Sequence, residues 1–553
     1  MLVSKGAFAN FINVQNTTLT GQNTTAGLNN VANFIQVQYD LSWNNSWRDS
    51  INWDGAWVFV KYRIGSGTWT HAHIDAAGFV NGTGTLNTIR VAPATINTGY
   101  LPAAGINTGA FVYRAAGGTG TFSVTGQQLR WLYGQQTVTD AQALTAQLRV
   151  FAVEMVFIPQ GNYFLGDNNN TANDFYDGSS SAVQITGTAF SSTIFAYNQG
   201  SMSARVHGNL GLDNNNDGLL QVWPTDNSNF PAGWKAFWMM KYEISQGQYV
   251  DFLNTLTYDQ QTTRMPGGNI NTVNFNIQSG TTTDNNRYTI RIGTTGTSNT
   301  VPRVFITVRP DRANNWMNWQ DGSAYADWAG LRPHTELEFE KAARGFLNIV
   351  SNENAWGNTT FTQGTAISGT ENGTETITTV GANSTDVNST KTGGDGNTGP
   401  VRVGIHATSS STRTQSGASY FGVMDLTSNV CEMYVGLTHT PGRLYRGDSA
   451  FYHGNGMLFS ATNGNGDVPF WVGNNGTGTF ANPVGPTFTQ ITGGYGAHYR
   501  GCNSAMGFSY SDNYRTADRG SAGTGQNSTS NYFTGIDNSR YFQTGFRCGR
   551  THF

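Results

Sequence analysis

Along the first 150 residues apolar and polar positions alternate in short runs. "VANFIQVQYDLSW" alternates cleanly, "GAWVFVKYRI" follows, and "GAFVYRAA" and "QLRWLYG" come further on, with Gly, Asn and Thr clusters between them. A period of two bounded by turn residues predicts antiparallel strands, and their density predicts a β-sandwich over residues 1–152. Trp43, Trp47, Trp53 and Trp57 crowd one part of this unit. Such a group could stack on sugars, but the strand pattern assigns it to the edge of a sandwich core. His71 and His73 share one face of a strand and are read as a surface pair.

The texture changes at "FAVEMVFIPQGNYFLGD", Phe151 to Asp167, so the second unit is set at 153–553. Two stretches in it carry a helical pattern. "SQGQYVDFLNTL" opens on Ser245 with Gln248 three residues later, a capping box, and Tyr249, Phe252, Leu253 and Leu256 make one apolar stripe. "AGLRPHTELEFEKAARGF" gathers Arg332, Glu336, Glu338, Glu340, Lys341 and Arg344 in a chain with only 12% charged residues. Thr335 caps this helix, acids fill its first turn and bases its last, matching the dipole at both ends. Leu337, Phe339, Ala342 and Ala343 supply a buried side, which predicts scaffold rather than chemistry. The remainder is loop-rich, with a polar insertion at 168–230 and a long Thr/Asn/Gly/Ser loop at 358–400. The expected class is α+β.

Composition narrows the function. The 69 glycines suit many tight turns, and the formal charge of −3 argues against nucleic acid or an anionic membrane as partner. No apolar run approaches the roughly 20 residues of a membrane span. The N-terminal residues lack the apolar core of a signal peptide, so export is expected from a leader upstream of this sequence or by another route. Cys431, Cys502 and Cys548 are too few and scattered to predict a zinc cage or a disulfide framework, and Cys502 is read as a small residue at a turn, without a partner. Asp213, Asn215, Asp217 and Gly218 resemble the start of a calcium loop, but Pro224 stands where the last carboxylate belongs, so a surface turn is preferred.

Four motifs, in order, resemble the formylglycine-generating-enzyme (sulfatase-modifying factor) family. They are "EMVFIPQGNYFLGD" with "FWMMKYEISQGQYVDFLNTL", then "WMNWQDGSAYADWAGLRPHTELEFEKAARG", "YFGVMDLTSNVCEM", and the terminal "YRG…TADRG…TGFRCGR". The resemblance spans about 155–553 and implies a C-type-lectin-like core. "LRPHTELEFEKAARG" and "SWNNSWRDSINWDGAWVFVKYR" further resemble secreted two-domain proteins of Bacteroidetes-like bacteria.

The resemblance implies roles for single residues. Glu338, Arg344 and Arg519 would belong to a buried structural network. The family's oxidases hold copper on a cysteine pair, and those positions fall on Met506 and Ser511, which supply no thiolate; no copper and no enzyme activity are expected. Calcium is expected on the side chains of Asp425 and Glu432 and the carbonyls of Ser428 and Val430, with a second family site near Asn383 and Asp395. The Tyr-, Ser-, Asn- and Gly-rich segment from Gly501 to Gly545 would run across an exposed face, with Phe508, Tyr510, Asn513 and Tyr514 carrying contacts. The expected function is a non-catalytic adhesion or structural protein at the cell surface or outside the cell. Its partners would be a protein or glycan ligand, or copies of itself in a filament, sheath or phage-like particle; a divergent metal-dependent oxidase is the third reading.

Overall fold

A computed structural model describes residues 12–93, 107–168, 174–176, 181–187, 195–196, 229–408, 410–437, 442, 445–449, 452–459, 463–473, 479–480, 491–492, 496–502, 514–519 and 539–552. The class is α+β.

The alternating N-terminal runs form strands that divide between two antiparallel sheets. Asn13–Asn23, Phe34–Arg48, Gly118–Trp131 and Thr83–Gly84 lie side by side in a four-stranded sheet. In Phe34–Arg48 the alternation is real: Ile35, Val37, Tyr39, Leu41 and Trp43 are buried and the residues between them are not. Asp54–Arg63, Asn107–Arg114 and Asn87–Pro93 belong to the second, eight-stranded sheet. Ala56, Val58, Val60 and Val112 face the first sheet and complete one core with its inward row. The expected sandwich is present.

The eight-stranded sheet does not stop at the expected boundary. Asp54–Arg63 pairs with Gln147–Ile158, which pairs with Phe237–Met240, which pairs with Cys548–Thr551. The chain at 152/153 is therefore the middle of a strand, and both units share one sheet. Its other face carries Trp57, Phe59, Val153, Met155 and Trp238 against the helices Gln246–Leu253 and Trp319–Trp328. Asp54–Arg63 is covered on both sides, which is why "GAWVFVKYR" reads as a nearly unbroken apolar run. The Trp57 indole donates to the carbonyl of Ala329, a hydrogen bond of 2.7 Å between the units.

The tryptophans do not make a platform. Trp43, on the four-stranded sheet, is buried in the sandwich core and Trp57 on the far face of the shared sheet; Trp43 stacks on Phe122 and Trp53 on Phe157. His71 is no surface residue either. It is buried against Thr108, and burial followed by the nearby Lys61 pushes its pKa well below the ordinary value.

Both predicted helices are found. Ser245 and Gln248 form a reciprocal capping box, as do Thr335 and Glu338. The helix Trp319–Trp328 has no amphipathic stripe because all of it except Gln320 is buried, so periodicity could not reveal it. Gly322 lets the Phe546 ring lie against this helix; a Cβ there would sit 2.0 Å from the ring.

Candidate functional site

The helix Glu336–Arg344 is buried over its whole length, charged side included. Each acid is met by a base, two of them from distant segments and one, Arg332, from just before the helix. Glu336 accepts from Arg519 at 2.6 and 2.9 Å, Glu338 from Arg332 at 2.6 and 2.9 Å, and Glu340 from Arg500 at 2.9 Å. Arg344 reaches Glu353 and the carbonyl of Phe164. Burial alone would raise the carboxyls of Glu336 and Glu338, but Arg519 and Arg332 outweigh it and hold both at about 2. Lys341 is the exception: it donates to the carbonyl of Trp234, and burial lowers its pKa to about 7. Glu338, Arg344 and Arg519 thus occupy the structural network expected of them.

The loop from Asp425 to Glu432 enters the strand Cys431–Val435, which pairs with Ala497–Arg500 and Thr544–Gly545. Asp425, Ser428 and Asn429 have φ of 60°, 81° and 65°, left-handed values that fold the loop tightly. Glu432, expected as a metal ligand, is already engaged. Arg547 holds Oε1 at 2.7 and 2.6 Å, and the Tyr434 hydroxyl donates to Oε2. Arg547 spends its remaining donors on the carbonyls of Met240, Lys241 and Met424.

Asp425 faces another carboxylate instead. Its Oδ2 accepts from the Gly404 N–H at 2.6 Å, and Glu243 lies beside it, fully buried, with no hydrogen-bond donor at either oxygen. Burial raises both carboxyls, Glu243 strongly; the charge of Asp425 raises Glu243 further, whereas a hydrogen bond from Glu243 partly offsets the rise at Asp425. Ser428 Oγ and both amide atoms of Asn314 are also buried without partners, and Asn314 N donates to Ile244, next to Glu243. Two buried hard-oxygen acids, Glu243 with both oxygens unmatched, are a fit for a cation of the calcium type, with Glu243 in the place expected of Glu432. Among the described residues, no three His, Cys, Asp or Glu side chains are grouped to hold a metal on their own.

The second expected calcium position fits poorly. Asp395 is clamped by Arg309 at 2.7 and 2.8 Å and by Arg312 at 2.6 Å, which depress its pKa, while the Asn383 amide bonds Thr362 N and Thr360 O.

The cysteines correct a prediction. Cys502 is not unpartnered: it forms a disulfide with Cys431, closing 71 residues. The strands at 431–435 and 497–500 are neighbours, so residues far apart in sequence meet. Cys548 is free and buried, and burial lifts its thiol pKa well above the ordinary value.

Tyr514 is a second correction. It was expected to be exposed, yet it is 9% exposed, stacked 4.6 Å from Phe361, which in turn stacks on Trp356. The 358–400 loop folds over it and takes up the apolar ring. Met506, Phe508, Tyr510, Ser511 and Asn513 lie outside the described residues, as do Asp213, Asn215, Asp217, Gly218 and Pro224.

Sequence reasoning missed Glu243, whose only signal was an acid two residues after Lys241 in the largely apolar junction "FWMMKYEIS". Arg547 was read as part of a strand motif, and nothing in its spacing paired it with Glu432.

This combination defines an α+β domain in which a fully buried, doubly charged helix knits the terminal strands to the sheet. The model of the sulfatase-modifying factor enzyme 1-like domain matches residues 199–530, more than half of the chain, and the chain belongs to that family. It is 46% identical over 55 residues to a formylglycine-generating enzyme of Streptomyces coelicolor and 46% identical over 57 residues to one of Thermomonospora curvata. Each match covers 10% of this chain, and the chain spans 17% and 18% of the length of these curated relatives.

Proposed function

We propose that this protein uses the family fold without its oxidase chemistry, as a binding or structural protein acting outside the cytoplasm. The observation that carries the reading is the state of the cysteines. The chain has three; two are joined in a buried disulfide and the third is a core thiol held protonated by burial. Copper(I) is selected by soft thiolates in an accessible pair. None of the three is placed to supply one. The disulfide also supports an oxidising compartment. No described helix is long and apolar enough to cross a membrane.

The test is conversion of a Cys-x-Pro-x-Arg peptide to the aldehyde with copper supplied. No aldehyde is expected, and copper-dependent turnover would overturn the reading.

Self-assembly is the second reading, supported by Val301, Val304, Ile306 and Val308, which stand 42–54% exposed in one short stretch. A second copy is the occupant proposed for this row. The native mass of the purified chain should then exceed that of a monomer and fall in Val304→Ser/Ile306→Ser.

Calcium is the cation proposed for the Asp425 loop. Asp425 and Glu243 would hold it, with the carbonyls of Ser428 and Val430, and it would neutralise their charge and tie the loop to the start of the helical layer.

A further inference from the structure

Lys241, Glu154 and Asp54 come from three adjacent parts of the shared sheet. Asp54 opens the strand Asp54–Arg63, Glu154 lies on the middle strand Gln147–Ile158, and Lys241 directly follows Phe237–Met240. In register, Glu154 is opposite Ala56, and the Lys241 N–H donates to the Glu154 carbonyl at 3.0 Å. The three side chains therefore turn into one buried space. Lys241 Nζ stands 3.1 Å from Glu154 Oε2 and 3.7 Å from Asp54 Oδ2. All three residues are at most 4% exposed. The rings of Trp47 and Tyr242 lie 5.0 and 5.5 Å from the nitrogen.

Asp54 is held in a fixed pose by donors. Ser46 Oγ and Trp47 N donate to Oδ1 at 2.9 and 3.0 Å, and Trp43 Nε1 donates to Oδ2 at 2.9 Å. An amine, a carboxyl group and a second carboxylate, enclosed by aromatic rings and held in contact, are the reactants and the proton carrier for amide formation. We propose that Lys241 and Asp54 condense to an intramolecular isopeptide bond, with Glu154 as the proton shuttle.

The step balances without any co-reactant. The proton on Lys241 Nζ passes to the Asp54 carboxyl, leaving a neutral amine and a neutral acid in place of one ion pair. A site of low polarity favours that exchange, since separated charges are costly there. Burial raises Asp54 toward the protonated form, although Glu154, Tyr242 and Asp54 together outweigh burial at Lys241 and raise its pKa. The nitrogen then attacks Cγ and the N–C bond forms. Negative charge collects on Oδ1, where Ser46 and Trp47 already donate. Glu154 takes a proton from the attacking nitrogen and returns it to Oδ2, the C–Oδ2 bond breaks, and one water leaves. Holding the groups together replaces a bimolecular encounter with a unimolecular one.

The product would weld the strand Asp54–Arg63 to the segment after Phe237–Met240, a covalent tie between the N-terminal sandwich and the family domain. The full-length chain, denatured and reduced, should weigh one water less than its sequence. A tryptic digest should yield a branched peptide joining Asp54 to Lys241, because trypsin does not cut after an acylated lysine. Lys241→Arg and Glu154→Gln should both have the full mass for their sequences, with wild-type secondary structure by circular dichroism. A wild-type chain of full mass that trypsin cuts after Lys241 overturns the proposal, and this reading stands even where a variant fails to fold. Complete condensation in Glu154→Gln overturns the role given to Glu154.

Discussion

Two buried clusters of charge are built from the same side chains and are balanced in opposite ways. On the helix Glu336–Arg344 each carboxylate meets an arginine, and Glu336 and Glu338 are held at about 2. At the Asp425 loop Arg547 is committed to Glu432 and three carbonyls, while Asp425 and Glu243 face each other and burial raises both. The contrast separates framework from site. A paired buried acid holds segments together, whereas an unmatched pair at neutral pH carries a free-energy cost that a cation or a proton can remove.

The largest effect should come from breaking a matched pair. Arg332→Ala strands Glu338 in the core, and loss of one partner of a buried pair typically costs about 3–5 kcal/mol. Urea unfolding measures this, and a loss near the value of a surface substitution would contradict the framework reading.

The unmatched pair should respond to calcium. A ligand bound only by the folded state adds about 2.7 kcal/mol at a hundredfold excess over its Kd. The melting temperature should rise with calcium and fall with chelator in the wild type. Glu243→Gln with Asp425→Asn should abolish the response. Glu432→Gln should lower stability by freeing Arg547 yet keep the calcium response, and loss of that response would restore Glu432 as the ligand.

The smallest effect is a difference of sign with pH. Glu336 and Glu338 have folded values of about 2 against an ordinary 4.5, so their contribution is present above 4.5 and is lost as pH falls toward 2. Glu243 and Asp425 have raised folded values, so their contribution is present below the ordinary carboxylate range and is lost as pH rises. Without calcium, Glu243→Gln should therefore raise the melting temperature at pH 7 and leave it nearly unchanged at pH 4. An equal shift at both values would mean that Glu243 is not titrating there.

Much of the fold was legible because its causes are local. The alternation in Phe34–Arg48, the capping boxes at Ser245 and Thr335, and the charge order of Glu336–Arg344 are set by neighbours within a few residues. The family motifs placed the network residues Glu338, Arg344 and Arg519. The helix Trp319–Trp328 escaped because burial on all sides erases periodicity, and Tyr514 was misplaced because a polar loop covers it.

Sequence alone thus determined the strands, the two capped helices and the family, since propensity, capping and binary pattern act over short spans. The tertiary structure alone decided the partners: Cys431 with Cys502, Arg547 with Glu432, Glu243 with Asp425, and Lys241 with Glu154 and Asp54. Each pair joins residues on different strands or loops, and sheet order, which no local pattern encodes, is what brings them within a few ångströms.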